Sequence, residues 1–322
     1  MSKRVFITRR IPDVGIKMLQ DKGYTVDIYP KDRIMSQKEL VSALKKGNYD
    51  VVLCLLTDKV DSKVFDAAPA AKLYVNYASG YDNIDVAEAK RRSITVANAP
   101  TNLSSDSVAQ HAFALMLALA TRTVEADEYI RRGKYKGWEP MNFIGTDIFG
   151  KTIGLVGAGR IGERLAHYGK AMGLKVIYTD VVRNDRLEKE YGIEYCSSIE
   201  ELLPRADFVS LHVPLLDSTR HLMNEKRMSL MKPTSFLINT SRGPIIDEKA
   251  LVKALLNGTI AGAGLDVFEF EPKLASGLTK LQNVVLTPHI ASASVEARNQ
   301  MAEVAAQNII SFFETGKAKN SV

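Results

Sequence analysis

The sequence predicts an α/β protein made of two doubly wound units, each with its own parallel β-sheet. Two observations carry this: short apolar runs alternate with helix-like stretches, and the alternating series occurs twice along the chain. With 322 residues the chain is larger than a single hydrophobic core usually grows, so two domains and a cleft between them are expected. A composition of 46% hydrophobic and 25% charged residues supplies material for both cores.

In the first series, residues 5–8, 26–29, 51–55 and 73–76 read as strands and 14–22 and 37–46 as helices. Residues 104–121 follow the capping-type run Thr101-Asn102-Leu103-Ser104-Ser105-Asp106 and are apolar nearly all round, which predicts a long buried helix at a domain or subunit junction. The charged stretch 122–146 holds the only tryptophan, Trp138, among Gly133, Gly137 and Pro140. It shows no clear periodicity and is expected to be irregular and either functional or interfacial. A second series starts at Lys151, with strands at 152–156, 175–179, 208–211, 235–239, 261–266 and 284–287 and a helix at 161–172. The closing helical pattern, 294–315, has no strand left to serve in the second sheet and is expected to return to the first unit.

The net charge of +6 is modest, and the basic clusters at 90–92 and 131–136 read as solvated faces, so no nucleic-acid partner is expected. Cys54 and Cys196 are far apart in apolar settings, which suggests neither a disulfide framework nor a zinc site and fits a reducing cytoplasm. The first residues lack a signal-peptide pattern, and the longest apolar run, 112–120, falls short of the roughly 18 residues of a membrane span. No membrane partner is expected.

The strand at 152–156 leads into Gly157-Ala158-Gly159-Arg160-Ile161-Gly162 and then a helical pattern, with Asp180 at the end of the next strand. This is the full context of a dinucleotide fingerprint. Gly157 allows the tight turn, Gly159 lets a pyrophosphate approach the backbone, and Gly162 permits close helix packing, with the helix N-terminus facing the phosphates. Asp180 accepts hydrogen bonds from ribose hydroxyls but repels a 2′-phosphate. Two like unit charges about 4 Å apart cost up to roughly 4 kcal/mol at an effective dielectric near 20. NAD is therefore expected in preference to NADP, although Arg183 leaves room for dual use.

Three further segments end late strands of the second series: Asn239-Thr240-Ser241-Arg242-Gly243, Asp266-Val267-Phe268-Glu269-Phe270-Glu271-Pro272 and Thr287-Pro288-His289-Ile290-Ala291-Ser292. Ligands of open α/β sheets bind beyond the carboxyl ends of strands, so these loops can converge on one ligand.

Here the chain resembles the D-isomer-specific 2-hydroxyacid dehydrogenase family, and most closely its glyoxylate and hydroxypyruvate reductases. The resemblance spans nearly the whole length. It rests on Thr8-Arg9-Arg10-Ile11-Pro12, Ser79-Gly80-Tyr81-Asp82-Asn83-Ile84-Asp85, Gly137-Trp138-Glu139-Pro140, the glycine motif, Leu211-His212-Val213-Pro214 and the three strand-end segments, in that order.

The resemblance implies hydride transfer between NAD(H) and a small 2-oxo or 2-hydroxy acid, with Arg242, Glu271 and His289 as the catalytic set. Each residue type suits its role. A guanidinium fork can clamp a carboxylate and polarise a keto oxygen. An imidazole can give or take a proton near neutral pH, and a carboxylate beside it orients the ring and favours its protonated form. His111, His167, His212 and His221 gain no such support as acid or base, and His111, inside the apolar helix, reads as a core histidine.

Carried over from the family, Ser79 and Gly80 would hold the substrate carboxylate, with Ser292 near the same pocket. Val213 and Pro214 would lie beneath the adenosine, Thr240 and Ser241 near the nicotinamide ribose, and Asp266 at the carboxamide. Ala291 departs from the family pattern, where many relatives have Gly, which bears on fine specificity.

The implied fold is two Rossmann-like domains. A dinucleotide domain of residues 100–290 is inserted into a flavodoxin-like substrate domain formed by 1–99 and 291–322, and the helix from Ser104 and the final helix act as hinges. The family's 122–146 arm wraps a second subunit, so a homodimer is expected, with Trp138 reaching toward the partner's active site and limiting substrate size. Two other readings stay open: a regulatory, corepressor-like NAD-binding protein, and a phosphite dehydrogenase, which shares the arm and the catalytic set. Formate dehydrogenases place Gln where Glu271 stands, and phosphoglycerate dehydrogenases often carry a regulatory domain for which this chain has no room.

Overall fold

The computed structural model describes residues 2–322. The chain forms two compact units, Met1–Ser104 with Ala293–Val322, and Ser105–Ser292.

The first unit alternates strand and helix: β1 (Arg4–Ile7), α1 (Asp13–Asp21), β2 (Thr25–Ile28), α2 (Gln37–Lys46), β3 (Val51–Cys54), α3 (Ser62–Ala67), β4 (Leu73–Asn76), α4 (Val86–Arg91) and β5 (Thr95–Ala97). Its five strands are all parallel, in the order β2-β1-β3-β4-β5, which is the flavodoxin-like order. The long helix α5 (Asn102–Thr121) begins at the end of this unit and runs into the next.

The second unit continues with α6 (Thr123–Arg131), β6 (Thr152–Val156), α7 (Arg160–Ala171), β7 (Lys175–Thr179), α8 (Asp185–Tyr191), β8 (Glu194–Tyr195), α9 (Ile199–Leu202), β9 (Phe208–Leu211), α10 (Glu225–Met228), β10 (Phe236–Asn239), α11 (Glu248–Leu256), β11 (Gly262–Leu265) and β12 (Val284–Leu286). Its seven parallel strands lie in the order β12-β11-β10-β9-β6-β7-β8. Counted from β6 this is the Rossmann order 3-2-1-4-5-6, with one more strand added at the edge. The chain then returns to the first unit as α12 (Val295–Thr315), which packs along α1.

Both sheets are buried on both faces, which is why their strands read as continuous apolar runs. In the first unit Val5, Ile7, Val51, Leu53 and Val75 face α1 and α12, while Phe6, Val52, Cys54 and Tyr74 face α2, α3 and α4. In the second, Ile153, Leu155 and Tyr178 pack against α5 and α7, while Val156, Val209, Leu237 and Leu265 pack against α9 and α11. Alternation along each strand thus feeds two cores.

Two expectations need correction. The stretch 122–146 is not irregular throughout, because residues 123–131 form α6. This helix buries none of its residues, and i,i+4 ion pairs such as Arg131–Asp127 and Arg132–Glu128 support it. Nor is α5 buried all round. Ala109, Ala112, Met116 and Ala120 are buried, but Ala114 is exposed and Leu117 and Ala118 are only half-buried.

Gly15 shows how closely α1 and α12 approach. A Cβ there would lie 2.6 Å from the Ala302 carbonyl oxygen and 2.9 Å from the Ala302 Cβ, both fixed within a helix. Gly15→Ala is expected to destabilise the protein by about 1–3 kcal/mol as an overpacked core, measured by urea denaturation. An unchanged midpoint would mean that the two helices can separate at little cost.

Candidate active site

Three loops leave the carboxyl ends of neighbouring strands β10, β11 and β12, and short contacts tie each to the next. After β10, the Asn239 side chain clamps the turn: its Oδ1 accepts from Ser241 N–H at 3.0 Å and its Nδ2 donates to the Arg242 carbonyl at 2.9 Å. The Arg242 guanidinium donates to the Ser241 carbonyl at 2.8 Å. Gly243 then rests directly on the second loop, where a Cβ would fall 1.9 Å from the Phe268 carbonyl. Only glycine permits that approach.

The second and third loops meet at Asp266, which is fully buried. Its Oδ1 accepts from Thr287 Oγ1 at 2.6 Å and from Ile290 N–H at 2.8 Å, and its Oδ2 accepts from Ala291 N–H at 2.8 Å. Burial pushes this carboxyl up, but the bonds from His111, Thr287, Ile290 and Ala291 outweigh it and hold the pKa below the ordinary value. His111 is therefore no core histidine. Its ring is partly exposed, and its Nε2 lies 2.9 Å from Thr287 Oγ1 and 3.5 Å from Asp266 Oδ1.

Within this frame His289 adopts a left-handed backbone conformation, φ +56°. Such a conformation in a non-glycine residue persists where surrounding contacts over-determine it, and here its N–H donates to the Asp266 carbonyl at 2.8 Å. Nδ1 of His289 lies 3.0 Å from Oε2 of Glu271, whose Oε1 accepts from Phe268 N–H at 2.9 Å. Burial raises the Glu271 carboxyl, but the His289 bond and charge, the Phe268 amide and the Arg242 charge together leave its pKa lowered. The three residue types singled out in the sequence thus form one electrostatic group.

The same carboxyl edge of the sheet offers a cradle at the end of β6. The chain turns from β6 into α7 at Gly157, φ +101°, where a Cβ would meet the His212 carbonyl oxygen at 2.8 Å, and a Cβ on Gly162 would meet the Gly157 carbonyl oxygen at 2.2 Å. A Cβ on Gly159 would meet nothing within 4 Å, so the space above the middle glycine is open. No side chain caps the N-terminus of α7. Arg160 is exposed at that N-terminus and Ile161 packs half-buried behind it. Asp180 Oδ2 accepts from Ala158 N–H at 2.7 Å and Asn184 Nδ2 donates to the Ala158 carbonyl at 2.9 Å, so two side chains pin the turn.

Along the neighbouring strand ends, Ser241 Oγ donates to the Val213 carbonyl at 3.0 Å, and the chain continues into exposed Pro214. Thr240 Oγ1 and both ring nitrogens of His212 are buried without a protein partner. Orphaned buried polar atoms of this kind call for a partner from outside the chain. Burial also lowers the His212 pKa to about 4, so the ring is neutral at physiological pH. Open space above Gly159, an uncapped helix end, a pinned carboxylate and orphaned polar atoms together fit a dinucleotide.

Ser292 lies half-buried at the end of the third loop. In the first unit, the turn at Ser79 and Gly80 has both carbonyls tied down, by Asn98 Nδ2 at 2.6 Å and Asn76 Nδ2 at 2.8 Å respectively. The sequence reading did not single out Asn239, Asn184 or Asn76. An Asn that ends or follows a strand just before a motif, able to bond its own loop, is the signal that could have found them.

The family model described as D-isomer specific 2-hydroxyacid dehydrogenase, NAD binding domain, matches residues 113–291. The chain is 48% identical over 314 residues to a glyoxylate reductase of Korarchaeum cryptofilum, covering 97% of this chain and 93% of that one. Among solved structures, a protein from Thermus thermophilus superposes with a TM-score of 0.92 at 36% identity over 99% of both chains. An NADPH-dependent glyoxylate/hydroxypyruvate reductase from Sinorhizobium meliloti, in complex with NADP and malonate, superposes at 0.86 with 31% identity, over 100% of this chain and 97% of that one. A match to more than half the chain, set on a seven-stranded parallel sheet with a glycine-rich turn into α7, identifies the chain as a member of the D-isomer specific 2-hydroxyacid dehydrogenase family and as an oxidoreductase.

Proposed function

We propose that the protein reduces glyoxylate, hydroxypyruvate or a similarly small 2-oxo acid, with NADH as its preferred reductant and Arg242, Glu271 and His289 as its catalytic residues. One observation carries this reading: Nδ1 of His289 sits on the Glu271 carboxylate, which orients the ring with Nε2 turned away from that pair, in a group whose field also includes Arg242. Arg242 grips the substrate carboxylate and polarises the carbonyl oxygen, and Ser79, Gly80 and Ser292 complete the carboxylate's hydrogen bonds. His289 delivers a proton to that oxygen as charge develops on it, and Glu271 stabilises the imidazolium beforehand. NADH, when bound, supplies the hydride. With NADH, glyoxylate and hydroxypyruvate are expected to turn over, and His289→Ala is expected to cut kcat/KM by roughly 100- to 10,000-fold. Silence toward every 2-oxo acid despite NADH binding would favour a regulatory role or phosphite as substrate.

Gly157, Gly159 and Gly162, with Arg160 and Ile161 at the start of α7, receive the pyrophosphate. Asp180 takes the ribose, Val213 and Pro214 flank the adenosine, and Thr240, Ser241 and Asp266 lie on the nicotinamide side. The preference for NAD is supported by Arg183. Its guanidinium is held by Glu188 and lies over the Tyr195 ring, 4.8 Å from the centroid, so it is engaged rather than waiting for a 2′-phosphate. Relatives that use NADPH exist in this family, and the ratio of kcat/KM with the two cofactors decides the matter.

The neutral His212 ring gives the same cradle a pH signature. Its native pKa of about 4 lies below the ordinary 6.5, so the unfolded chain takes up the proton first as pH falls. The stability this residue contributes is fully present above 6.5 and is lost as pH falls toward 4. Between pH 7.5 and 5 the loss is on the order of 2 kcal/mol. Urea denaturation of the cofactor-free protein at both pH values should show a smaller loss in His212→Gln than in the parent. Equal losses would mean that the ring is already solvated.

The protein acts as a homodimer. Trp138 is 82% exposed, and Ile130, Tyr135, Met141, Ile144 and Phe149 are exposed with it, on a segment that includes a helix with no buried residue. Apolar exposure on this scale marks a protein–protein surface, and the half-exposed apolar face of α5 adds to it. Trp138 reaches the partner's active site and limits substrate size, so Trp138→Ala should raise kcat/KM for longer 2-oxo acids relative to glyoxylate. An unchanged ranking would remove Trp138 from the pocket. No helix among the described residues is long and apolar enough to cross a membrane, and both cysteines are free and buried, which suits a reducing cytoplasm.

A further inference from the structure

Beneath the candidate active site two glutamates that touch no proposed ligand are buried together. Glu269 N–H donates to Glu248 Oε1 at 2.6 Å, and Glu248 N–H donates to Glu269 Oε2 at 3.2 Å, a reciprocal exchange between the second loop and the first turn of α11. Glu248 Oε2 accepts from Ala275 N–H at 2.9 Å, near the far end of the same loop. Glu269 Oε1 lies 2.7 Å from Nε2 of His221, whose own N–H donates to the Pro244 carbonyl at 2.8 Å.

His221 is thus tied by its backbone to the segment that follows Arg242 and by its ring to the loop that carries Glu271. Carboxylates taken out of water are costly unless paired and hydrogen-bonded. Here backbone amides and one imidazole satisfy both, and every one of those partners belongs to a loop beside the catalytic residues or to the helix below it.

We propose that Glu269 and His221 are positioning residues for the reduction. The Glu269 carboxylate anchors its residue to the first turn of α11 and to His221 while Glu248 Oε1 holds the Glu269 N–H; together they fix the 268–269 backbone, from which Phe268 N–H reaches Glu271 Oε1, and so set the carboxylate that meets His289. His221 locks that loop to the Arg242 loop, against which Gly243 already packs without room for a side chain. The inference rests on the reading of Arg242, Glu271 and His289 as the catalytic set. The titratable groups facing Glu269 are His221 and Glu248; Asp247 is occupied in capping α11 through Ala250 N–H.

The test uses the full chain with glyoxylate and NADH, and measures kcat and KM from pH 6 to 10 for the parent, Glu269→Gln, His221→Gln, Glu271→Gln and the Glu269→Gln/Glu271→Gln pair. A carboxylate displaced by a fraction of an ångström no longer supports the imidazolium. Glu269→Gln and His221→Gln should therefore lower kcat about tenfold, with KM for glyoxylate changed less than about twofold. The alkaline limb of kcat should move to lower pH, because a displaced Glu271 favours the protonated ring less.

In the Glu271→Gln background, Glu269→Gln should cost nothing more, since both act through one contact. NADH binding reports folding in every variant, and the partly exposed His221 keeps the proposal testable if Glu269→Gln folds poorly. Normal kcat and an unmoved alkaline limb in His221→Gln, or full additivity in the double variant, would overturn the proposal. Full activity in Glu271→Gln itself would instead overturn the catalytic assignment on which it rests.

Discussion

Asp266 has no contact with water and four groups of its own chain around its carboxylate. It stays ionised because these groups donate to it more strongly than burial penalises its charge, and the candidate site depends on that balance. The left-handed backbone at His289 is stable only while the loop is gripped on both sides, by the Asp266 carbonyl before it and the Asp266 carboxylate after it. With that grip in place, Nδ1 meets Glu271 and the orientation of the ring is fixed. A neutral Asp266 would lose acceptor strength at three bonds together. The His289 ring is thus held in place by a buried residue that does not touch it.

Much of this frame could be read in the sequence because the physics that builds it is periodic. Residues 73–76, 152–156, 175–179 and 208–211 form strands over the spans their apolar runs mark, since strands buried on both faces must be apolar throughout. The glycine turn was legible because its three glycines each answer a steric demand. Short elements were not: β8 has two residues, α9 and α10 four each, and none is long enough to show a period. The helix α6 was illegible as well. Its nine residues are too few for a convincing period amid the charged stretch, and none of its apolar residues is buried in the chain.

For the candidate site, the residue types and their order were visible, whereas the supporting contacts were not. His111, His221, Glu248 and Glu269 are each ordinary in sequence. They become meaningful only because the parallel strands bring their loops and the adjoining helices α5 and α11 to one edge of the sheet, with partners 48 residues apart in the pair His221–Glu269 and 21 apart in Glu248–Glu269. Contacts of that span leave no local pattern.

The three glycines of the turn into α7 also differ in what holds them in place. Gly157 and Gly162 exclude a side chain because this protein's own backbone fills the space, whereas Gly159 faces open space. The outer two are therefore obligations of the fold, and a descendant that had abandoned the dinucleotide would keep them in order to pack α7 against its sheet. The middle one is free to drift as soon as nothing needs to lie against it. A side chain at the central position would therefore test the space over the turn without disturbing the packing beneath it, whereas one at either flanking position would test the fold.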